Sequence, residues 1–438
     1  MSNKRIGLFT STALVMGNMI ASGLFMLPAS LAVFGGISLI GWLVSGTGAM
    51  CLALVFGWLS RRFPSATGGP YAYTREGLGP FAAFLVAWGY WISCWSTNAA
   101  ITVAFVSYLS AFIPALSTTP LLAVAAGLAA IWLLTWINAR GIRQAGVVQV
   151  ITTVLKIIPL LIVTIAGFIY FNGNHFIPFN ISSQPSWLAV AQATTLTLFA
   201  FLGLESATVP AGHVRNPHHT IPRATIIGTG LTTVLYTVST IAVMGLIPPA
   251  GLHASAAPFA DAAALVFGDM GRYLVAAGAV ISTFGALNGW ILIQAQMPFA
   301  AARDRLFPAF FARTNTRDVP VAGLVFGSLL VSVMMGMNFS RSLADTYTFI
   351  ILLSTLNTLF AFLLSVTSFL VKSKGIKVSS WKITVALLAW GYAMWAVVGS
   401  GREAVYWGFI LLMAGLPFYA WVQTPECLSG SDKKSSRL

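Results

Sequence analysis

The sequence predicts an all-α polytopic membrane protein of about twelve transmembrane helices, and three observations carry that prediction. Of the 438 residues, 57% are hydrophobic and only 8% are charged, where a soluble chain would carry about 25% charged residues. Apolar runs of about twenty residues, long enough to cross a bilayer core of about 30 Å, recur along the whole chain. The basic residues fall in alternate loops, as the positive-inside rule expects of a chain that weaves through a membrane.

The candidate spans lie near 6–34, 37–59, 80–112, 119–138, 146–171, 187–212, 224–247, 271–300, 320–338, 346–371, 382–400 and 404–422. The start, "MSNKRIGLF", lacks a small-residue cleavage site after a short apolar core, so the first span is read as retained. With both termini on the cytoplasmic side, 20 of the 24 Lys and Arg residues share that side, from Lys4 and Arg5 to Lys433, Lys434 and Arg437. Arg272, Arg341 and Arg402 lie opposite, and Lys156 falls within a span. The net charge of +14 therefore reports topology. Without an extended basic surface or an aromatic platform, it does not suggest a nucleic-acid partner. Cys51, Cys94 and Cys427 have no metal-type spacing, and no disulfide framework is expected.

The first span contains "GNMIASGLFMLP", in which Gly17, Ser22, Gly23 and Pro28 interrupt an otherwise apolar helix. The sixth contains "TLFAFLGLESATVPAG", with Gly203 and Glu205 in its middle and Pro210 beyond. A carboxylate at that depth costs roughly 2.5 kcal/mol or more unless it faces protein or water. These spans open two five-helix halves, and interrupted helices at corresponding positions point to a midplane site in a secondary transporter. Unwinding frees N–H groups at a half-helix N-terminus, where the dipole favours an anion such as a carboxylate. The bland alternative is that the small residues serve close helix packing.

In the fifth span Lys156 stands in "TVLKIIPLL", about ten residues in and roughly 15 Å from the cytoplasmic end. A buried amine is costly to charge, so Lys156 is read either as a proton carrier or as a charged tether for the first span. His213, His218 and His219 read more simply as part of a loop than as a metal or pH-sensing site.

The stretches "GNMIASGLFMLPASLA", "GGPYAYTREGLGPF", "YWISCWSTNAA", "FAFLGLESA", "RNPHHTIPRAT", "APFADAA", "GALNGW" and "WAVVGSG" resemble, in order, the amino acid–polyamine–organocation superfamily. Within it the chain resembles the basic amino acid/polyamine antiporters, which exchange pairs such as arginine and agmatine. The resemblance implies a LeuT-type fold over 1–438: an inverted five-helix repeat (1–171 and 187–371), two additional helices (382–422) and a cytoplasmic tail (423–438). It implies an inner-membrane location, an amino acid or amine substrate, the lipid bilayer as setting, and a homodimer as a partner state its relatives often adopt. It implies no catalytic residue, metal or cofactor.

It also implies a site. Met19, Ser22 and Gly23 of span one, with Phe199, Ala200 and Leu202 of span six, would grip the substrate's carboxylate and amine. Ser93, Cys94, Asn98 and Ile101 of span three, Trp290 of span eight and Ser354 of span ten would surround its side chain. Tyr90, Glu205 and Phe362 match gating layers, and a lysine at the Lys156 position occurs in proton-linked and some exchange-only members. The chain departs from the antiporter pattern in carrying Phe199 for a stacking Trp, Phe362 for a Tyr, and Ala21-Ser22-Gly23 for "GSG". These departures bear on arginine specificity. An arginine/agmatine-type exchanger is therefore the leading expectation, and a proton-coupled permease for small or neutral amino acids using Lys156 is the second. No H-E-x-x-H, G-x-S-x-G or phosphate loop supports an enzyme, and no ring of charge or repeated filter supports a channel.

Overall fold

The computed structural model describes residues 7–63, 69–140, 157–158, 160–205, 214–337, 342–373 and 378–423. Lys156 and His213 lie outside the described residues. Among the described residues the regular structure is helical, and helices fall within each expected span. Eight helical stretches there are long and apolar enough to cross a membrane; Leu160–Ile169 and Val321–Met337 are shorter apolar helices.

The first span is two helices, Leu8–Met19 and Gly23–Leu31. It continues through Ala32–Ile37 into the second span, Ser38–Arg62. The third span, Pro80–Leu109, is the central pillar, packed mainly between the helices Pro258–Arg303 and Leu343–Ser373. Its apolar window is 89% buried, against 22% for the stretch Gly401–Val422. Polar side chains on span three therefore face protein, whereas spans eleven and twelve present their sides to the outside of the bundle.

Several features differ from the hydropathy reading: span seven begins at Pro217 rather than near 224, so His218 and His219, expected in a loop, lie in its first turn. Span eight starts just after Gly268, close to the expected 271: at φ 64° Gly268 breaks the run Pro258–Arg303 into two helices, and the first of them precedes the span. Pro258 supplies a helix start, since its missing N–H would be unbonded there in any case. Span twelve is split into Gly401–Met413 and Gly415–Val422. A short helix, Pro70–Leu78, stands between spans two and three, bounded by Gly69 and Gly79 at φ 58° and 90°. It lies along Leu343–Ser373, where the Ser368 hydroxyl donates to the Tyr73 carbonyl at 2.6 Å.

Candidate functional site

Span one breaks because its middle has little to hold a helix together. Ile20 leaves helical geometry at ψ 73°, its N–H still reaching the Met16 carbonyl, and the Ala21 N–H turns back to the Met19 carbonyl at 2.8 Å. The chain resumes as a helix at Gly23, capped by Ser22, whose side chain makes no cap bond. Gly23, Leu24 and Phe25 thus stand in a first turn, where N–H groups have no intrahelical acceptor. The Ser22 hydroxyl instead accepts from the Tyr347 hydroxyl at 3.3 Å.

Span six ends as an α-helix at Phe199 and tightens into successive i→i+3 turns through Ala200, Phe201, Leu202 and Leu204. Gly203, at φ 101°, takes a conformation open to glycine and strained for other residues. Its N–H donates to Glu205 Oε2 at 3.2 Å, and the Tyr236 hydroxyl donates to the Ala200 carbonyl at 3.1 Å. The two breaks touch. A Cβ placed on Gly23 would stand 2.9 Å from Ala200 Cβ, and one on Gly203 would stand 3.2 Å from Asn18 Cβ. Small residues in both spans are therefore a steric requirement of the crossing.

Around this crossing span three supplies a polar face. The Tyr90 hydroxyl donates to Glu205 Oε1 at 2.5 Å. Ser93 bonds the Ser354 hydroxyl at 3.1 Å and also Thr358, while Thr97 bonds Ser354 at 2.7 Å. Asn98 donates through Nδ2 to Gln294 Oε1 at 2.8 Å. Among the buried polar atoms on these elements that have no hydrogen-bond partner are Asn98 Oδ1 and the indole Nε1 of Trp290. Phe199 meets Tyr347 edge-on, ring centroids 6.0 Å apart.

Met19, Ser22, Gly23, Cys94, Ile101, Ala200 and Leu202 are buried with the rest, and Phe199 is only 4% exposed. Of the three expected gating residues, Tyr90 and Glu205 are bonded to each other, whereas Phe362 packs edge-on against Phe56 of span two. Tyr347, Thr97, Thr358 and Gln294 were not expected at the site. Thr97 and Thr358 stand one helical turn from Ser93 and Ser354, so the i, i+4 spacing held a readable signal. Among the described residues no group of three His, Cys, Asp or Glu is placed to hold a metal.

Both ends of the bundle are tied. Towards the expected outside, the Tyr108 hydroxyl donates to the Phe25 carbonyl at 2.8 Å, Phe25 packs edge-on against Tyr108 and Phe259, and Ser30 bonds Thr348 at 2.9 Å. Towards the expected cytoplasmic end, Asp304 at the foot of span eight pairs with Arg75 at 2.6 Å and accepts from the Tyr71 hydroxyl. Burial pushes the Tyr71 hydroxyl well above the usual tyrosine range, and the hydrogen bond and charge of Asp304 push it the same way. Partial burial pulls Arg75 down, but the bond to Asp304 and its charge outweigh this and leave it above its ordinary value.

The amino acid permease family matches residues 6–424. The cadaverine/lysine antiporter of Escherichia coli (strain K12) is 32% identical over 426 residues, covering 96% of this chain and 95% of that protein. A putative arginine/ornithine antiporter of Bacillus subtilis (strain 168) is 32% identical over 458 residues, covering 96% and 97%. The putrescine transporter PotE of Haemophilus influenzae is 32% identical over 426 residues, covering 96% and 97%. An all-helical membrane bundle with paired helix breaks and matches of this extent make the chain a member of the amino acid permease family, of the basic amino acid/polyamine antiporter kind.

Proposed function

We propose that the protein exchanges a basic amino acid, such as arginine, for its decarboxylated amine across the bacterial inner membrane by alternating access. The observation that carries this reading is the contact of the two helix breaks, Gly23 against Ala200. It sets a half-helix N-terminus beside a half-helix C-terminus within one buried site. The first favours a carboxylate and the second an ammonium group, which together make the α-carbon end of an amino acid.

The side chain would then extend past Phe199 towards span three. A cationic head there meets the Asn98 carbonyl oxygen and the ring of Trp290, whose face attracts a desolvated cation. The decarboxylated amine keeps both cationic ends and loses only the group held by Gly23, Leu24 and Phe25. It therefore competes for the same site from the other side of the membrane. The lysine, arginine, ornithine, cadaverine and putrescine of the relatives' names all carry such a cationic end.

The test is uptake of labelled arginine and lysine by proteoliposomes that are empty or loaded with agmatine, cadaverine, putrescine, arginine or alanine, with and without a proton gradient. Uptake only into vesicles loaded with a basic amino acid or amine is expected, and the loads that work define the pair. Uptake into empty vesicles driven by the gradient overturns exchange and favours a proton-coupled permease.

A further inference from the structure

One buried chain of hydrogen bonds runs from span four to span three and has a direction. The Thr135 hydroxyl donates to the Ile131 carbonyl at 2.8 Å. A carbonyl only accepts, so the single hydroxyl proton of Thr135 is committed there. The 2.6 Å contact between Thr135 and Ser328 must then use the Ser328 proton. Ser328 is left as an acceptor, and Gln294 turns its Nε2 towards it at 3.3 Å. The Gln294 amide thus presents Oε1 on its other side, where it receives Nδ2 of Asn98 at 2.8 Å.

The orientation of an amide is assigned from its bonding network, and here a backbone carbonyl sets the whole network. Each link excludes the reverse orientation of the next. The last atom, Asn98 Oδ1, is an acceptor that is buried and has no hydrogen-bond partner. Burying such an atom without a partner is unfavourable, and a donor carried by a substrate would relieve that cost. Trp290 stands one turn before Gln294 on the same helix, its indole N–H also buried and unpartnered. Gly327 lets span nine lie against the Gln294 amide, since a Cβ there would fall 2.6 Å from Gln294 Cδ. The amide has little room to turn.

We propose that Gln294 is a specificity-determining positioning residue. Bonded through Ser328 and Thr135 to the Ile131 carbonyl, it holds Asn98 with its oxygen towards the substrate, so that the site favours a head group that donates a hydrogen bond to that oxygen. An ammonium or guanidinium group meets that demand, and an uncharged methyl end does not. This inference rests on the basic amino acid reading of the same site and adds the device that sets its selectivity.

The experiment measures KM and maximal rate in proteoliposomes for arginine and lysine and for norleucine, a neutral counterpart whose methyl end donates no hydrogen bond. Wild-type protein, Gln294→Met and Ser328→Ala are compared. Methionine keeps the length of the side chain but cannot hold Asn98. KM for the cationic substrate should rise about tenfold, with the maximal rate within about twofold and KM for its neutral counterpart unchanged. Ser328→Ala, which frees both amides to turn together, should move the same ratio by about threefold and carries the test if Gln294→Met does not insert. A fall in maximal rate for both substrates with an unchanged KM ratio would mean Gln294 only packs, and the inference would fail alone. Wild-type protein that takes up neither arginine nor lysine would overturn the exchanger reading itself, and this inference with it.

Discussion

Tyr90 and Glu205 are joined by a 2.5 Å hydrogen bond between the central third span and the broken part of the sixth. The other carboxylate oxygen accepts the Gly203 N–H at 3.2 Å. One side chain therefore holds the irregular backbone to the pillar beside it. Removing the phenol strips a buried carboxylate of a donor, a loss worth about 1–3 kcal/mol. Tyr90→Phe should lower the thermal midpoint of the purified protein and slow exchange several-fold with a smaller change in KM. An unchanged midpoint and rate would show that the bond does not fasten the break.

Gly23 and Ala200 offer a steric test of the crossing. Gly23→Ala inserts a methyl group 2.9 Å from Ala200 Cβ, closer than two carbons settle without movement. Exchange should fall at least tenfold with membrane insertion intact. Adding Ala200→Gly should restore part of it, because the second change removes the atom in the way. Ser22→Lys and Gly23→Trp should abolish exchange altogether. Normal uptake by either of these would sink the site assignment.

Trp290 is expected to recognise charge. A cation over a desolvated indole face gains about 0.5–2 kcal/mol, so Trp290→Leu should weaken competition by arginine or lysine by roughly threefold to thirtyfold. Competition by a neutral amino acid should change much less. Equal weakening of both would make the ring a wall with no preference for charge.

The Tyr71, Arg75 and Asp304 cluster sets an alkaline limit. Because the folded pKa of Tyr71 is raised, its contribution is fully present below the unfolded tyrosine value of about 10 and is lost as pH rises above it. Arg75, also raised, adds no pH dependence below that range. The part of the thermal midpoint that depends on this cluster should be flat from pH 6 to 9, and Tyr71→Phe should reduce the decline above about pH 10. The Arg75 and Asp304 side chains are 43% and 35% exposed, so their pair is worth about 0–1 kcal/mol. Asp304→Asn should accordingly cost little stability, and a change in exchange rate would register its effect on opening.

Much of this architecture was legible in the sequence because the membrane imposes a coarse rule on composition. Apolar runs and alternating basic loops mark the spans, and Gly23, Gly203 and Glu205 stand out because hydrocarbon tolerates neither loose backbone nor a stray carboxylate. What hydropathy does not show is partner choice. Gln294 resembles any interhelical amide until Ser328 and Thr135, from two other helices, are set beside it. Tyr347 lies seven residues before Ser354, on the same helical face, but its bond to Ser22 depends on how spans one and ten cross. Gly268 separates span eight from the helix before it through a positive φ that composition alone does not reveal.

The ties at both ends of the bundle bear on speed. In the proposed exchange, a substrate enclosed between Phe25 and Tyr108 at one end and Tyr71 and Asp304 at the other would leave only when one set of contacts parts. Lid and domain motions of that kind occur on microsecond-to-millisecond timescales. Turnover therefore has a ceiling set by the protein's own opening frequency. A steeper concentration gradient biases the direction of travel, but once the site is saturated it does not raise that ceiling.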